Sequence, residues 1–292
     1  MILVVGATGE LGGLIAHGLL DRRHAVRILV RDGCSYDQLT DAGAEAVVGD
    51  LKDADSLQAA CTGVEAVLTT ANSVGRGGED TIESVDRVGN RNLVDAAVAA
   101  GVRRFVFISA LGADPQSPSP FLCAKGETEE RLRDSGMAWT VLRPNVFMDI
   151  LIPAVVGYPA LTGQPVMLVG AGHRQHSFVA RRDVAAYALA ALQRQDAQRR
   201  TLVIAGPQPV SWRDIVATFA RELGRELPIR TVSPGEPVPG LPEMAGDLLA
   251  ALDTYDSPID ISTLSNTYRI TPTTVADFAH DFIATSQPAA LR

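Results

Sequence analysis

The chain has 292 residues, of which 46% are hydrophobic and 21% are charged, and its formal net charge is -8. This length and apolar content suffice for one large domain or for a domain with a smaller lobe. The acidic balance and the absence of a basic stripe in the sequence argue against binding to nucleic acid. No stretch of sequence combines the length and apolarity of a bilayer span, so we expect no membrane partner.

The cysteines and the first residues of the sequence favour a reducing cytoplasm. Cys34, Cys61 and Cys123 form neither a metal-binding spacing nor the even-numbered framework of a disulfide-rich protein. The sequence begins with MILVVGATG, which has neither the basic region nor the cleavage site of a secretory signal. We therefore expect a cytoplasmic protein without a bound metal.

Apolar runs alternate with helical patterns through the first half of the chain. The runs predict strands over residues 2–5, 25–31, 44–50, 66–71, 103–109 and 138–144. The helical patterns cover residues 11–23, 80–100 and 122–135. Such alternation indicates right-handed βαβ units. The predicted fold is α/β, with a doubly wound parallel sheet of the Rossmann type over residues 1–150.

From about residue 150 the alternation becomes less regular and prolines accumulate. Short strands are predicted at 166–170, 201–206 and 228–232, and helices at 182–194 and 211–225, the last with Ser211 as its N-cap. We interpret residues 151–292 as a smaller α/β lobe that binds the substrate at the strand ends of the sheet.

A glycine-rich sequence, GATGELG, joins the first predicted strand to the first predicted helix. Gly6 permits a tight turn, Gly9 lets the backbone approach a pyrophosphate, and Gly12 lets the helix pack closely on the sheet. The helix N-terminus adds free N–H groups and the positive end of the helix dipole. The flanking strand and helix are the context of a dinucleotide-binding loop. The alternative is a tight turn whose glycines are incidental.

The second predicted strand ends at Arg31, about twenty residues beyond the glycine loop, where such folds read the adenosine ribose. An acidic residue there favours a free 2′-hydroxyl, and an arginine accommodates a 2′-phosphate. Because Arg31 comes before Asp32, we predict NADP(H) in preference to NAD(H). The alternative is that Arg31 is a solvated charge. Asp50 either flanks the adenine or caps the following helix.

Further motifs point to a known family: GDL at 49–51, NRNLVDAA at 90–97, GVRRFVFIS at 101–109 and LRP at 142–144. With GATGELG and Arg31, they resemble the atypical, NmrA-like short-chain dehydrogenase/reductases over about residues 1–195. That group includes isoflavone-type reductases, NADPH:quinone oxidoreductases, dye and azo reductases, and redox-sensing regulators. The resemblance implies a Rossmann fold and an NAD(P)H cofactor, but it does not name a substrate.

The resemblance also implies roles for individual residues. The pyrophosphate would be held by Gly6, Thr8, Gly9, Glu10, Leu11 and Gly12. Arg31 would contact the 2′-phosphate, and Asp50 and Leu51 would flank the adenine. Thr69, Thr70 and Ala71 would pass beneath the nicotinamide ribose, and Pro144, Asn145 and Phe147 would line the nicotinamide pocket. Ser109 matches the active-site serine of the superfamily, and Lys125 matches the lysine that grips the nicotinamide ribose.

Phe121 stands where the superfamily keeps the tyrosine of its Tyr-x-x-x-Lys pair. That tyrosine donates a proton to the developing alkoxide, and phenylalanine has no proton to give. Reduction of a simple ketone is therefore compromised. Hydride transfer to a quinone, an enone or another conjugated acceptor needs no such acid. We predict an NADPH-dependent reductase of conjugated, aromatic or quinone/enone-type small molecules.

Four residues are candidates for an alternative proton donor. Lys125 can titrate near neutrality if it is desolvated, although it fits a solvated helix face as well. Tyr158 lies in a loop-like GYPALTG sequence, and His173 and His176 lie in GAGHRQHSF. Histidine is a residue type that can donate a proton near neutral pH. The alternatives are a packing role for the tyrosine and solvation for the histidines.

Two other functions remain open from the sequence. One is a non-catalytic NADP(H) sensor that acts through a protein partner, and the other is an epimerase, dehydratase or cyclase acting on a polyketide-like substrate. The apolar run at 147–152 suits either a hydrophobic substrate or a domain-junction core. The charged residues Glu127, Glu129, Glu130 and Arg131 are expected on an outer helix face, so a monomer and a homodimer are equally compatible.

Overall fold

The computed structural model describes residues 1–286, which divide into two compact units. The first unit comprises Met1–Pro144 and Val184–Val203, and the second comprises Asn145–Asp183 and the described residues from Ile204 onward. From the sequence we predicted a single boundary near residue 150, whereas residues 184–203 return to the first unit. Helical periodicity does not reveal which unit a helix packs against. The assignment of cofactor binding to 1–150 and substrate binding to 151–292 stays a prediction.

Strands and helices alternate through most of the chain. The strands are β1 (Ile2–Val5), β2 (Val26–Val30), β3 (Glu45–Val48), β4 (Ala66–Thr69), β5 (Arg104–Ile108), β6 (Ala138–Pro144), β7 (Val166–Val169), β8 (Arg200–Ile204) and β9 (Ile229–Val232). The helices are α1 (Glu10–Asp21), α2 (Asp37–Asp41), α3 (Ala54–Cys61), α4 (Asn90–Ala99), α5 (Pro120–Asp134), α6 (Met148–Ile152), α7 (Tyr158–Thr162), α8 (Arg181–Gln193), α9 (Trp212–Leu223), α10 (Glu243–Leu252), α11 (Ser262–Tyr268) and α12 (Val275–Ser286). Two π-helical segments, Ile82–Gly89 and Pro153–Gly157, directly precede α4 and α7.

A seven-stranded sheet forms the centre of the first unit, with the strand order β3-β2-β1-β4-β5-β6-β8. Neighbouring strands from β3 to β6 pair in parallel; Val4 of β1, for example, lies beside Ile28 of β2 and Leu68 of β4. Every residue of β1 and β4 is buried, as a parallel sheet covered on both faces requires. The predicted α/β doubly wound sheet is confirmed. Its order reverses between β1 and β4, where such sheets open a ligand crevice at their carboxyl ends.

Apolar side chains from strands and helices close the core of the first unit. Phe105 and Phe107 of β5, Leu57 of α3 and Leu93 of α4 are all fully buried there. Each such side chain stabilises the fold by about 1.5–3 kcal/mol relative to exposure. The long helix predicted at 80–100 is π-helical through Ile82–Gly89 before it continues as α4. π-Helical turns are frequent at functional sites.

The second unit has its own core and a small sheet. β7 and β9 pair in parallel, with Val166 beside Ile229, and the core contains Phe178, Trp212 and Phe219. Ser211 caps α9 and forms a capping box with Asp214, which confirms the predicted N-cap. Five helices of this unit were not predicted from the sequence. They are α6, α7 and α11, which have at most seven residues and so show little periodicity, and the longer α10 and α12. No helix within residues 1–286 is long and apolar enough to cross a membrane.

Candidate functional site

The loop between β1 and α1 is shaped by close backbone packing at its glycines. Gly6 has a φ of +87°, and a Cβ added there would lie 2.6 Å from Thr70 Oγ1. A Cβ on Gly12 would lie 2.0 Å from the carbonyl oxygen of Gly6, so only glycine allows α1 to start this close to the loop. Gly9 is the N-cap of α1 and supplies no capping side chain. A helix N-terminus without a capping side chain is a typical binding place for an anion such as a phosphate.

The residues that follow β4 lie against this loop. Thr70 donates a hydrogen bond from Oγ1 to the Gly6 carbonyl oxygen at 3.4 Å, and its N–H bonds to the carbonyl of Val5. Thr69 and Ala71 are buried, and Ala71 N–H donates to Thr69 Oγ1. The carboxyl ends of β1 and β4 thus meet at the point where the strand order reverses.

The turn after β3 forms another wall. Asp50 Oδ1 accepts a hydrogen bond from the backbone N–H of Lys52, so Asp50 organises the turn itself. The N-cap of α3 is Asp53, whose side chain accepts from Asp55 N–H, so the suggestion that Asp50 caps this helix was wrong. Leu51 is buried, and its Cβ would lie 2.9 Å from a Cβ placed on Gly89.

These segments enclose a groove within the first unit. Its lining is Val5, Gly6, Thr8, Leu29, Arg31, Gly49, Asp50, Leu51, Ala71, Arg76 and Val85. Apolar side chains make the floor, and the glycine loop and two arginines contribute polar groups. A groove of this composition can hold the adenosine and phosphate groups of a dinucleotide. Glu10 and Leu11 lie in the first turn of α1, directly after the Gly9 cap.

Arg31 does not stand free in solvent. Its Nη1 donates to Oδ2 of Asp80 at 2.5 Å, and Lys52 Nζ donates to the other carboxylate oxygen, Oδ1, at 2.7 Å. Arg76 Nη1 lies 3.6 Å from Oδ2. Three cations from three chain segments therefore surround one carboxylate at the edge of the groove. Lys52, Arg76 and Asp80 were not predicted as site residues. No local sequence pattern connects Asp80 to Arg31 and Lys52, which lie 49 and 28 positions away.

Lys125 is almost completely buried on α5, which excludes a solvated lysine. Its Nζ lies 3.5 Å from Oδ1 of Asp86, a residue that is also fully buried. Burial lowers the pKa of Lys125, and the Asp86 carboxylate opposes that shift. The other oxygen of Asp86 accepts hydrogen bonds from Ser73 N–H at 2.9 Å and from Ser73 Oγ at 2.6 Å. Asp86 was also missed, because it lies inside what looked like an ordinary helix.

Phe121 lies one helical turn before Lys125 and packs against it. The Lys125 ammonium is 5.3 Å from the centre of the Phe121 ring and 5.0 Å from the centre of the Phe107 ring. Aromatic faces attract a cation in this geometry. Position 121, where the tyrosine of the Tyr-x-x-x-Lys pair is missing, thus holds an aromatic ring beside the lysine.

Ser109 belongs to a different hydrogen-bond network, which is centred on Glu129. Its hydroxyl donates to Oε1 of Glu129 at 2.6 Å, and the Glu129 carboxylate also accepts from Arg133 and Arg143. Glu129 is fully buried, so its expected place on an outer helix face was wrong. The two arginines compensate its charge, and Glu129 in turn raises the pKa of Arg143. Ser109 therefore helps to fix the end of β5 to α5.

The candidate nicotinamide-side residues occupy the junction after β6. Pro144 ends β6 and accepts a hydrogen bond from Leu111 N–H. Asn145 is buried in the second unit, where its Nδ2 donates to the carbonyl and hydroxyl oxygens of Ser257. Phe147 is the N-cap residue of α6, and the apolar residues Met148, Leu151 and Ile152 behind it belong to the core of that unit. Their contribution to a nicotinamide pocket stays a prediction.

The three candidate proton donors of the second unit, Tyr158, His173 and His176, have different environments. Tyr158 begins α7, is 58% exposed, and meets the ring of Phe282 edge-on. His176 is fully buried; its Nδ1 lies 2.7 Å from Ser257 Oγ and its Nε2 lies 3.0 Å from the Leu252 carbonyl oxygen. Burial lowers the pKa of His176 and keeps it neutral. These partners describe a structural histidine, and His173 is exposed. A proton-donor role for either histidine stays a prediction.

A known protein family matches the part of the chain that contains the glycine loop and the Lys125 site. The family described as NAD(P)H-binding matches residues 6–195. The chain belongs to this family. The match begins at Gly6 of the glycine loop and extends past the end of α8, so it covers most of the first unit of this NAD(P)H-binding protein.

Characterised relatives include reductases and an assembly factor. The NAD(P)H azoreductase of Xenophilus azovorans is 32% identical over 80% of this chain and 77% of its own length. The (4-alkanoyl-5-oxo-2,5-dihydrofuran-3-yl)methyl phosphate reductase of Streptomyces griseus is 34% identical, over 78% of this chain and 75% of its own. The photosystem II assembly factor Ycf39 of Cyanophora paradoxa is 31% identical, over 79% of this chain and 71% of its own.

A solved structure with the same architecture is that of the NADPH-dependent quinone oxidoreductase QOR2 from Escherichia coli. It is 25% identical, covers 97% of this chain and 100% of its own, and superposes with a TM-score of 0.80; the same enzyme has also been solved with NADPH. These matches confirm the predicted family, the Rossmann-type fold and the place of the chain among NAD(P)H-dependent reductases. The preference for NADP(H), the substrate, the oligomeric state and the cytoplasmic location stay predictions.

Proposed function

We propose that this protein is an NADPH-dependent reductase that transfers hydride to a conjugated, hydrophobic small molecule of the quinone, enone or azo type. The observation that carries this proposal is the pairing of Phe121 with a buried Lys125. The site keeps the lysine of the reductase pair and has an aromatic face in place of the acid. Such a site is suited to acceptors whose reduced form is stabilised without proton donation from the protein.

The first unit would bind the cofactor. The glycine loop with Thr8, and the first turn of α1 with Glu10 and Leu11, would hold the pyrophosphate through backbone N–H groups. Arg31 would contact the 2′-phosphate, which is the basis for proposing NADPH. Asp50 and Leu51 would flank the adenine, and Thr69, Thr70 and Ala71 would support the nicotinamide ribose. Bound NADPH supplies a hydride from C4 of its nicotinamide.

Lys125 and Asp86 would position the ribose end of the cofactor. The buried carboxylate of Asp86 holds the ammonium in place, and the Ser73 hydrogen bonds hold the carboxylate. The ammonium can then donate to a ribose hydroxyl, as the family resemblance implies for this lysine. Because Ser109 donates to Glu129, we assign it to the positioning of β5 and α5 and not to proton transfer.

The names of the relatives agree with an activated acceptor. The Xenophilus enzyme is named for azo reduction, QOR2 for quinone reduction, and the Streptomyces enzyme for an unsaturated lactone that carries an alkanoyl group. In all three the accepting double bond is activated or is part of a conjugated system. This shared chemistry supports a conjugated substrate for the present chain, and the protein then contributes chiefly binding and orientation.

Anaerobic NADPH oxidation tests the proposal. Once NADPH binding is confirmed, the protein is assayed with quinones, enones and azo dyes, and in parallel with unconjugated ketones of matched size. We expect turnover of the conjugated acceptors only, and a smaller rate with NADH than with NADPH. Phe121→Tyr is the matched variant, because it adds one hydroxyl beside Lys125; it should raise ketone turnover more than quinone turnover. Equal rates on both acceptor classes in the wild type would contradict the proposal.

A second candidate is an NADP(H)-binding factor that acts through a protein partner. The Ycf39 relative and the absent acid at position 121 favour it. The same assay separates the two functions. Tight NADPH binding without turnover of any acceptor class would favour the binding factor over the reductase.

A further inference from the structure

The groove edge at Arg31 already contains an anion from the protein itself. Both oxygens of the Asp80 carboxylate are engaged, Oδ2 by Arg31 and Oδ1 by Lys52, and Arg76 lies 3.6 Å from Oδ2. Only 7% of the Asp80 side chain is exposed, whereas 42% of the Arg31 side chain is exposed. The carboxylate therefore lies inside a ring of cations, and those cations are partly open to solvent.

The charges around Asp80 keep it ionised. A hydrogen bond from Lys52 is the main cause that lowers the pKa of Asp80, and the charges of Lys52, Arg31 and Arg76 add to it. Three positive groups surround Asp80, and the Asp50 carboxylate lies 3.8 Å from Lys52 Nζ, so Arg31 and Arg76 contribute most of the positive charge that remains for a second anion. That anion must share Arg31 and Lys52 with Asp80, which already accepts one hydrogen bond from each of them.

We propose that Asp80 is an internal counter-ion that competes with the 2′-phosphate of NADPH for Arg31 and Lys52, and so limits how strongly the site prefers NADPH to NADH. This inference rests on the proposed function, because it takes Arg31 to be the residue that reads the adenosine ribose. NADPH binding requires Asp80 to share these two cations with the 2′-phosphate, and its carboxylate then lies close to a second anion. NADH makes no such demand, because its 2′-hydroxyl can donate a hydrogen bond to the carboxylate.

The segment that carries Asp80 is rich in glycine and is not closely packed around its glycines. Gly75, Gly77 and Gly78 have positive φ angles, and a Cβ added to any of them would meet no atom within 4 Å. The segment is held at its ends, at Ser73 by Asp86 and at Thr81 by the capping box with Ser84. Displacement of Asp80 therefore needs a change in the open middle of the segment and leaves both ends in place.

Direct binding measurements test the inference, with NADPH and NADH titrated separately into the full-length protein. Asp80→Asn keeps the size of the side chain and removes its charge. Glu79→Gln is the matched control, because it removes the same charge from the neighbouring residue of the same segment. We expect Asp80→Asn to lower the Kd for NADPH about tenfold, as the removal of one close competing charge should. The Kd for NADH should stay the same or rise, and Glu79→Gln should change neither by more than about twofold.

Three results would overturn the inference. A higher Kd for NADPH in Asp80→Asn would show that Asp80 orients the cations for the phosphate and does not compete with it. An equal change for both dinucleotides would show a general effect on the groove, and thermal melts of both variants would show whether the fold had changed. In these two cases the proposed reductase function stands if the wild type binds and oxidises NADPH. Failure of the wild type and of Asp80→Asn to bind either dinucleotide would overturn both proposals.

Discussion

At the scale of single residues, Lys125 and Asp86 form an ion pair that is buried in the interior of the candidate site. Both side chains are almost entirely removed from solvent and lie 3.5 Å apart. Removal of one partner leaves an uncompensated charge in the interior, which costs about 3–5 kcal/mol. Lys125→Met and Asp86→Asn should therefore each lower the free energy of unfolding by roughly that amount, as measured by urea denaturation.

The double variant Lys125→Met/Asp86→Asn provides the control for this prediction. It removes both charges, so its loss of stability should be clearly smaller than the sum of the two single losses. NADPH binding gives a second measurement. Lys125→Met and the double variant should both bind NADPH more weakly than the wild type, although the double variant recovers part of the stability. Additive losses of stability would mean that the two groups do not interact.

The cysteines should differ sharply in reactivity. Burial raises the pKa of the Cys61 thiol to about 11, whereas Cys34 and Cys123 are only partly buried. The thiolate is the reactive form, so Cys61 is protected both by its protonation and by its inaccessibility. In the native protein at pH 8, a thiol reagent should modify Cys34 and Cys123 rapidly, and Cys61 only after denaturant is added. In Cys61→Ala, the additional modification that follows the addition of denaturant should disappear. Rapid modification of Cys61 in the native protein would refute the prediction.

His176 should make the fold sensitive to mild acid. Its pKa is lowered by burial from 6.5, so below that pH the unfolded chain binds more protons than the folded chain. The full stability is present above about pH 6.5 and decreases as the pH falls towards the folded pKa. His176→Gln should be less stable at pH 7 but should show a shallower loss of melting temperature between pH 7 and pH 5. Parallel pH profiles for the two proteins would contradict this.

At the scale of elements, local patterns predicted much of the site and failed where partners are distant. The glycine loop, the strands β1–β6 and the Ser211 cap are indicated by residue types that lie close together in sequence. Asp80 binds partners 28 and 49 residues away, and no periodicity encodes such contacts. Glu129 looked like a surface charge because it lies in a charged stretch, but Arg133 and Arg143 allow it to be buried.

The start of α1 offers a matched pair of substitutions. A Cβ on Gly12 would lie 2.0 Å from the Gly6 carbonyl oxygen, whereas a Cβ on Gly13 would lie 3.4 Å from its nearest neighbour, the Ala7 carbonyl oxygen. Alanine is otherwise the better helix former by about 1 kcal/mol. Gly12→Ala should force the loop and helix apart, lower the melting temperature and weaken NADPH binding. Gly13→Ala should leave both nearly unchanged. Similar effects of the two substitutions would show that the contact at Gly12 can relax.

At the scale of the whole molecule, the chain order does not follow the compact units. After it leaves the first unit at Pro144, the chain returns at Val184 and supplies most of α8, together with the edge strand β8. Thr140 of β6 donates a buried hydrogen bond to the carbonyl of Ala197, and Val184 and Ala188 are fully buried. The sheet of the first unit therefore depends on residues that follow a large part of the second unit in sequence.

This dependence predicts the behaviour of fragments. A fragment of residues 1–150 lacks α8 and β8, so it exposes the edge of β6 and the apolar surface that α8 covers. We expect it to bind a hydrophobic dye and to unfold without a sharp transition in urea, as a loosely packed state does. The control joins residues 1–144 to residues 181–204 through a flexible glycine-serine linker, which restores both elements. This joined fragment should unfold cooperatively and bind 2′,5′-ADP, because the groove lies wholly within the first unit. Cooperative unfolding of the 1–150 fragment would instead show that β1–β6 and their helices suffice for a stable core.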